Sequence, residues 1–145
     1  MKLGAAIGIA LLTWCACSLA GPAWQAGNES GKTFSLRAGE SVDAGDGDLR
    51  VGFEGVYADS RCPKREQCVR AGEATATVWF QRGSGPRQSR ELRTAPGAAP
   101  AASAFDHVLR LMRLDPYPIT GRQLAPGDYV ATLTLSRGSA TEALR

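Results

Sequence analysis

The chain of 145 residues is poor in the side chains that catalytic and metal sites require. It contains one histidine, His107, and four cysteines. A zinc site needs four ligands, and a Ser-His-Asp triad needs a histidine beside its nucleophile. Neither set can be assembled around His107 from the sequence. We therefore expect a protein that is not an enzyme and that uses no cofactor and no metal ion.

Lysine is also scarce, and the charges are spread along the chain. There are 17 Lys and Arg against 14 Asp and Glu, which gives a formal net charge of +3, and only three of the cations are lysines. Nucleic-acid-binding domains carry clustered basic patches or tails, and no run of like charge approaches one here. The composition therefore argues against a nucleic-acid partner.

Long apolar runs are missing except at the amino terminus. Residues 3–12 are apolar, follow Lys2 and precede the small-x-small sequence Ser18-Leu19-Ala20. This is the pattern of a secretory signal peptide over residues 1–20 that is cleaved before Gly21. An uncleaved membrane anchor is the alternative, but it would need about 20 uninterrupted apolar residues.

A lipid anchor is a second alternative, because Cys17 stands where the modified cysteine of a lipoprotein could stand. We expect an exported protein, periplasmic or extracellular, that contacts the membrane only through such an anchor. Its partner is then expected to be a protein or another component of the cell envelope.

The remaining chain alternates apolar and polar residues with a period of two, as β-strands with one buried face do. Six or seven such segments are separated by Gly, Pro and Asp-Gly clusters. The pattern predicts an all-β domain over residues 33–137, a small two-sheet sandwich with an immunoglobulin-like arrangement. Residues 21–32 are then a flexible amino-terminal segment and residues 138–145 a tail. We expect a monomer.

Some segments are well marked and others are ambiguous. "EATATVWF", residues 73–80, is apolar on both faces and predicts a central strand, whereas residues 88–94 carry several charges and predict an edge strand. "FDHVLRLMRL", residues 105–114, fits a strand or a helix, and its neighbours favour a strand. Leu49 begins a strand in which a bulge at Gly55 would restore the inward face. The Pro- and Ala-rich residues 95–104 predict an exposed loop.

Two cysteines, Cys62 and Cys68, remain in the chain once the signal is removed. In an oxidising compartment they have one pairing available, so a disulfide is expected. Closing seven residues stabilises the fold by about 2.4 kcal/mol in the loop-entropy model. Redox activity is the less favoured alternative, because it normally uses a Cys-x-x-Cys pair.

"DAGDGDLR", residues 43–50, predicts a tight turn rather than a calcium loop.

The sequence around these cysteines, "DSRCP", four residues, "C", two residues and "AGE", resembles a motif of small exported bacterial domains of uncharacterised function that are often carried on lipoproteins. The apolar strand before the motif and the later "PYP", residues 116–118, match that pattern. Arg70 departs from it, because an aromatic residue often precedes Ala-Gly-Glu there. The resemblance implies no activity.

Several residues around the cysteines are expected to shape the loop. Asp59 and Ser60 can accept hydrogen bonds from the turn, Gly72 can permit a positive φ or a close approach, and Arg61 and Glu73 can pair across the base. Pro63 fixes the backbone after Cys62.

Lys64 and Arg65 at the tip are left as candidate partner contacts. Two functions remain: a non-catalytic binding module of the envelope, or a protease inhibitor that presents the basic loop between Cys62 and Cys68.

Overall fold

The computed structural model describes residues 31–44, 47–95, 97 and 100–138. Eight strands and one short 3-10 turn, Pro126–Asp128, lie in these ranges. The strands are β1 (Lys32–Arg37), β2 (Ser41–Asp43), β3 (Leu49–Asp59), β4 (Ala74–Arg82), β5 (Gln88–Arg93), β6 (Ala101–Ala104), β7 (His107–Asp115) and β8 (Val130–Arg137). The predicted signal peptide and Cys17 lie outside the described residues. Within the described ranges, no helix is long and apolar enough to span a membrane.

The strands form two antiparallel four-stranded sheets. One sheet has the order β1-β8-β7-β6 and the other β2-β3-β4-β5. The predicted all-β, two-sheet sandwich is therefore confirmed. The strand order departs from the immunoglobulin one, because β2 to β5 form an uninterrupted meander in one sheet, whereas an immunoglobulin domain divides its second to fifth strands between two.

The core lies between the sheets and is built by the predicted alternation. Fully buried side chains come from both sheets, and the largest are Phe53, Phe80, Leu49, Leu92, Leu109, Leu133, Val51 and Val78. Removing a side chain of this size from water stabilises the fold by about 1.5 to 3 kcal/mol. The central position of β4 and the edge position of β5 are both as predicted.

Two irregularities bend the second half of β3. Its register against β4 shifts between Phe53 and Gly55 and again between Val56 and Ala58. The first shift is the predicted bulge at Gly55, and it keeps Val56 buried. The second shift, at Tyr57, was not predicted. Bulges increase twist and bend the strand that carries them, so the end of β3 turns away from the plane of its sheet.

The prediction of an exposed loop over residues 95–104 is wrong at its end, because Ala101–Ala104 forms the edge strand β6, paired with His107–Arg110. Ala102 is buried against the core. Period two cannot be recognised when the alternating residues are Ala and Ser, which differ little in hydrophobicity. The ambiguous segment after it is a strand, β7, and Phe105 and Asp106 form the tight turn before it, both with positive φ.

Trp79 is a large aromatic side chain on the outer face of the sheet formed by β2 to β5. Its ring covers Gly52 on the neighbouring strand, where a Cβ atom would lie 2.1 Å from the ring. Arg87 stacks on the ring with its guanidinium 4.1 Å from the centroid. Trp79 is consequently buried although it points away from the core.

The sandwich has two distinct ends. The turn end carries the β2–β3 connection, the β4–β5 turn and the turn at Phe105, and Lys32 begins the first strand there, with Nζ bonded to the Asp43 carbonyl. Residue 46, an oxygen donor in the calcium alternative, lies outside the described residues. The opposite end, called the disulfide end below, consists of residues 59–73 and 115–129.

Candidate functional site

The disulfide predicted from the sequence is present. Cys62 and Cys68 are bonded, with Cα atoms 5.9 Å apart. The bond closes the outer part of a fourteen-residue connection between β3 and β4, residues 60–73. A backbone hydrogen bond from Cys62 to the Ala71 carbonyl, 3.0 Å, continues the ladder between the two chain segments below it. The disulfide thus extends an existing pairing.

Ser60, Gly72 and Glu73 form the base of this connection. The Ser60 N–H and hydroxyl both donate to the Glu73 carbonyl, at 2.8 and 3.0 Å, and the Glu73 N–H donates to the Ser60 hydroxyl at 3.1 Å. Gly72 has a φ of +66°, and a Cβ atom there would lie 1.7 Å from the Ser60 carbonyl oxygen. Only glycine fits this position, for both of the reasons that the sequence suggested.

Arg61 does not pair with Glu73, as the sequence had suggested, but with Asp59. Its Nε and Nη2 donate to the two carboxylate oxygens at 2.9 and 2.6 Å, and its backbone N–H donates to the same carboxylate at 3.1 Å. Both side chains are more than nine-tenths buried. Asp59 shapes the turn as expected, but it also neutralises the arginine that follows it.

Arg61 connects the two sheets. Nη1 donates to the Leu114 carbonyl, in β7 of the other sheet, at 3.0 Å, and Nη2 donates to the Pro116 carbonyl, just beyond the end of β7, at 3.1 Å. The ring of Tyr117 lies over the guanidinium, 4.7 Å from its carbon. The planar fork of arginine bonds here to both carboxylate oxygens and to two carbonyls, four acceptor atoms in all, whereas a lysine has only three N–H donors and cannot form the bidentate contact.

Tyr129 completes the cluster, and its hydroxyl donates to Asp59 at 3.1 Å. Burial raises the pKa of Asp59, but the hydrogen bonds and charge of Arg61 outweigh burial, so the pKa lies below its ordinary value. Burial first, and then the charge of Asp59, raise the pKa of Tyr129 to about 12. Asp59 is therefore charged and Tyr129 neutral at physiological pH, and we call Asp59, Arg61 and Tyr129 the clamp.

The tip of the loop is a tight turn. The Glu66 N–H donates to the Pro63 carbonyl at 3.2 Å, and Arg65 has a φ of +72°, which favours glycine. The Lys64 N–H donates to the Pro118 carbonyl at 3.1 Å, and its ammonium lies 5.8 Å from the Tyr117 ring. Thr120 donates to the Glu66 carboxylate. The loop therefore packs on residues 116–122, called the ridge below.

Exposed apolar side chains are concentrated here. The large hydrophobic residues that are exposed in the described part of the chain are Tyr57, Val69, Met112, Tyr117 and Ile119. Val69 is fully exposed after the disulfide, and Ile119 is half exposed on the ridge. Tyr57 and Met112 lie on either side of the ridge. Each of the five belongs to the disulfide end or to a strand segment that adjoins it.

Two clefts flank the ridge. One, of about 440 Å³, lies between the end of β3 and residues 118–126. The other, of about 330 Å³, lies between Gly72 and the second half of β7, where Met112 and Arg113 line it. The clamp separates them. The hydrogen-bonding groups of the clamp bond to one another and to backbone carbonyls. The clamp therefore holds the walls of the two clefts in place and leaves few free donors or acceptors for a ligand.

Sequence reasoning identified the loop residues but missed the ridge and Tyr129 as their partners. "PYP" was the available signal for the ridge, whereas Tyr129 looked like an ordinary strand residue. In comparisons with protein-family models, with curated proteins and with solved structures, nothing matches this chain. Among the described residues, no group of three or more His, Cys, Asp or Glu side chains is placed to hold a metal ion.

Proposed function

We propose that this protein is a non-catalytic, exported binding module of the cell envelope that contacts its partner through the disulfide end. The observation that carries the proposal is the location of the exposed apolar side chains at that end. Apolar groups that are grouped on a surface and rimmed by polar residues mark interaction sites, whereas scattered ones need no explanation. Tyr, Met and Arg are also the side chains that interfaces favour.

The charges of the disulfide end support the same proposal. Lys64, Arg65 and Arg70 are exposed on the loop, and no acidic side chain of the described residues pairs with them. Rim charges of one sign accelerate the encounter with a partner of opposite sign. Glu66 is also exposed on the loop, so the surface combines apolar anchors with a charged rim in which cations are in excess at the loop tip.

The direction of the chain fits an anchored module. The first described strand begins at the turn end, so a lipid on Cys17 would attach the chain through residues that enter the domain at the end opposite the disulfide end. The disulfide itself is the kind that persists in oxidising compartments.

The protease-inhibitor alternative has less support. A protease accepts the residues around the cleaved bond as an extended strand, and such extended binding is a common mode of peptide recognition. The loop tip is instead a tight turn with Arg65 at positive φ, and the Lys64 N–H is bonded to the ridge.

Site-specific photocrosslinking tests the proposed function. Benzoylphenylalanine is placed at Val69 or Ile119, both exposed at the disulfide end, and at Ser84, exposed in the β4–β5 turn, as the matched control. We expect discrete crosslinked adducts from positions 69 and 119 in intact cells, and none from position 84. An Ile119→Glu substitution should abolish the adduct from position 69.

Adducts of equal yield from all three positions would contradict the proposal, as would their absence from positions 69 and 119. Incubation with trypsin distinguishes a protease inhibitor from a binding module. An inhibitor would slow the hydrolysis of a small chromogenic substrate, and a binding module would not.

A further inference from the structure

The larger cleft is bordered by a strand edge without a partner strand. β3 pairs with β4 over most of its length, but β2 pairs only with Arg50–Gly52. Residues 39 and 40 extend that pairing by hydrogen bonds to Phe53, at 2.8 and 3.0 Å. Beyond this point, from Val56 to Asp59, no strand of the described residues covers the outer edge of β3, and these four residues line the cleft.

This edge of β3 differs from the opposite edge of the same sheet, which is formed by β5. β5 carries Arg90, Glu91 and Arg93, and charged side chains on an edge discourage pairing with another chain. The β3 edge is uncharged from Gly55 to Ala58. Its two bulges and the ridge limit access, so a flat sheet edge from another molecule cannot pair with it, whereas a single extended peptide can lie in the cleft.

The chemistry of the cleft indicates the occupant. Its walls include the apolar side chains of Leu124 and Pro126 and the exposed ring of Tyr57. Arg122 is exposed in the cleft, and no acidic side chain of the described residues pairs with it. Asp59 also lines the cleft, but Arg61 already neutralises its charge. Arg122 is therefore the residue lining the cleft whose charge is left unpaired. The carboxylate of Glu54 bonds to the Tyr57 side chain beside the cleft but does not line it.

We propose that this cleft binds an extended acidic segment of a partner protein, which adds to the edge of β3 as a fifth strand. The inference rests on the proposed function and specifies the partner of the same end of the molecule. Val56–Asp59 spans about 13 Å at roughly 3.3 Å per residue, so about four residues of the segment pair with β3. Backbone hydrogen bonds give such a complex its affinity, and alternate side chains give its specificity.

A random heptapeptide library displayed on phage is the probe, panned against the full chain after export and oxidation. Enriched peptides should contain Asp or Glu and alternate residues that favour strands. Ala58→Trp fills the cleft from an exposed position, and Arg122→Glu reverses its charge. Each should weaken binding of an enriched peptide at least tenfold. The matched controls are Ser84→Trp and Arg90→Glu, and each should change affinity less than twofold.

Amide hydrogen exchange locates the bound peptide. Amides within Val56–Asp59 should gain protection, whereas those of residues 63–70 should not. Protection confined to residues 63–70, or an affinity that Arg122→Glu or Ala58→Trp leaves unchanged, overturns the inference while the binding module stands. Crosslinks at positions 69 and 119 without any enriched peptide likewise overturn the inference alone. Failure of those crosslinks overturns the proposed function, whatever the library yields.

Discussion

Arg61 is a buried cation whose donors are almost all used within the protein. It forms a bidentate pair with Asp59, two hydrogen bonds to carbonyls at and just beyond the end of β7, and a stacking contact with Tyr117. A buried pair of this kind gains little over apolar packing, because desolvation offsets the attraction. Loss of one partner, however, strongly lowers the free energy of unfolding, because it leaves a buried charge uncompensated.

Replacing Arg61 by Ala should therefore lower the free energy of unfolding by about 3 to 5 kcal/mol. Urea denaturation of the oxidised protein measures the change. Arg93→Ala is the matched control, because Arg93 pairs with Glu91 on the surface and both side chains are more than three-fifths exposed. The control should lose less than about 1 kcal/mol. Equal losses in the two variants would show that the clamp contributes no more than a surface pair.

Gly72 provides a second test at the scale of one residue. In Gly72→Ala, the new methyl group would collide with the Ser60 carbonyl, and the positive φ adds backbone strain. We expect a loss of at least about 2 kcal/mol. Gly97→Ala is a control that separates the two causes, since Gly97 also has a positive φ but has open space around it. It should lose about 1 kcal/mol. A similar loss at both positions would mean that the close approach to Ser60 costs nothing.

At the scale of elements, the strands could be predicted wherever hydrophobicity alternates strongly. Val78 and Phe80 in β4, and Leu133 and Leu135 in β8, carry large side chains on one face, and both strands are where the pattern predicts. β2 has three residues, and β6 consists of Ala and Ser, so neither has enough contrast in hydrophobicity to be recognised. Strand order could not be predicted, because each strand fits either sheet by pattern alone.

The candidate site could be predicted in part, for a related reason. The cysteine spacing and Gly72 are local signals, and both led to correct predictions. The pairing of Arg61 with Asp59, two residues away, competed with an equally plausible pairing with Glu73 across the loop. Sequence offered no means to choose, because the choice depends on the carbonyls of Leu114 and Pro116, which reach Arg61 from the other sheet.

The disulfide loop allows a prediction at this scale. Replacing Cys62 and Cys68 by Ala should cost up to about 2.4 kcal/mol, the loop-entropy estimate for seven residues. The loss can be smaller because the loop also bonds to the ridge through Lys64 and Glu66. Arg65→Gly should instead stabilise the protein by about 0.5 to 1 kcal/mol, because glycine adopts the positive φ of the turn without strain.

Thermal denaturation of both loop variants measures these effects. Lys64→Ala is the matched control at the tip and should change stability by less than about 0.5 kcal/mol, since an exposed side chain has little packing to lose. Destabilisation by Arg65→Gly would contradict the turn geometry.

At the scale of the whole molecule, the clamp and the turn end hold the two sheets together at opposite ends. Arg82 performs the corresponding function at the turn end, with its guanidinium 4.9 Å from the Phe105 ring and Nη2 bonded to the Phe105 carbonyl at 3.3 Å. The clamp is much more deeply buried than Arg82. Its ionisation should therefore control how the stability of the whole sandwich depends on pH.

The sign of this dependence differs at the two extremes. The pKa of Asp59 is lowered in the folded protein, so its contribution is present above the ordinary carboxyl range and is lost as the pH falls below about 4. The pKa of Tyr129 is raised to about 12. Its contribution is complete below about pH 10, where a tyrosine of the unfolded chain begins to ionise, and is lost as the pH rises toward 12.

Urea denaturation at pH 7 to 11.5 should then show a falling stability, of which Tyr129 accounts for roughly 2 kcal/mol by pH 11.5. Tyr129→Phe should be less stable than the parent at pH 7, because it lacks the hydrogen bond to Asp59, but its stability should fall less steeply above pH 10. Tyr57→Phe is the control: the pKa of Tyr57 is also raised, yet its side chain is exposed. A pH profile of Tyr129→Phe parallel to that of the parent would exclude Tyr129 as the alkaline determinant. Convergence of the two curves near pH 11 would show that ionisation of Tyr129 removes the same stabilisation that the Tyr129→Phe substitution removes.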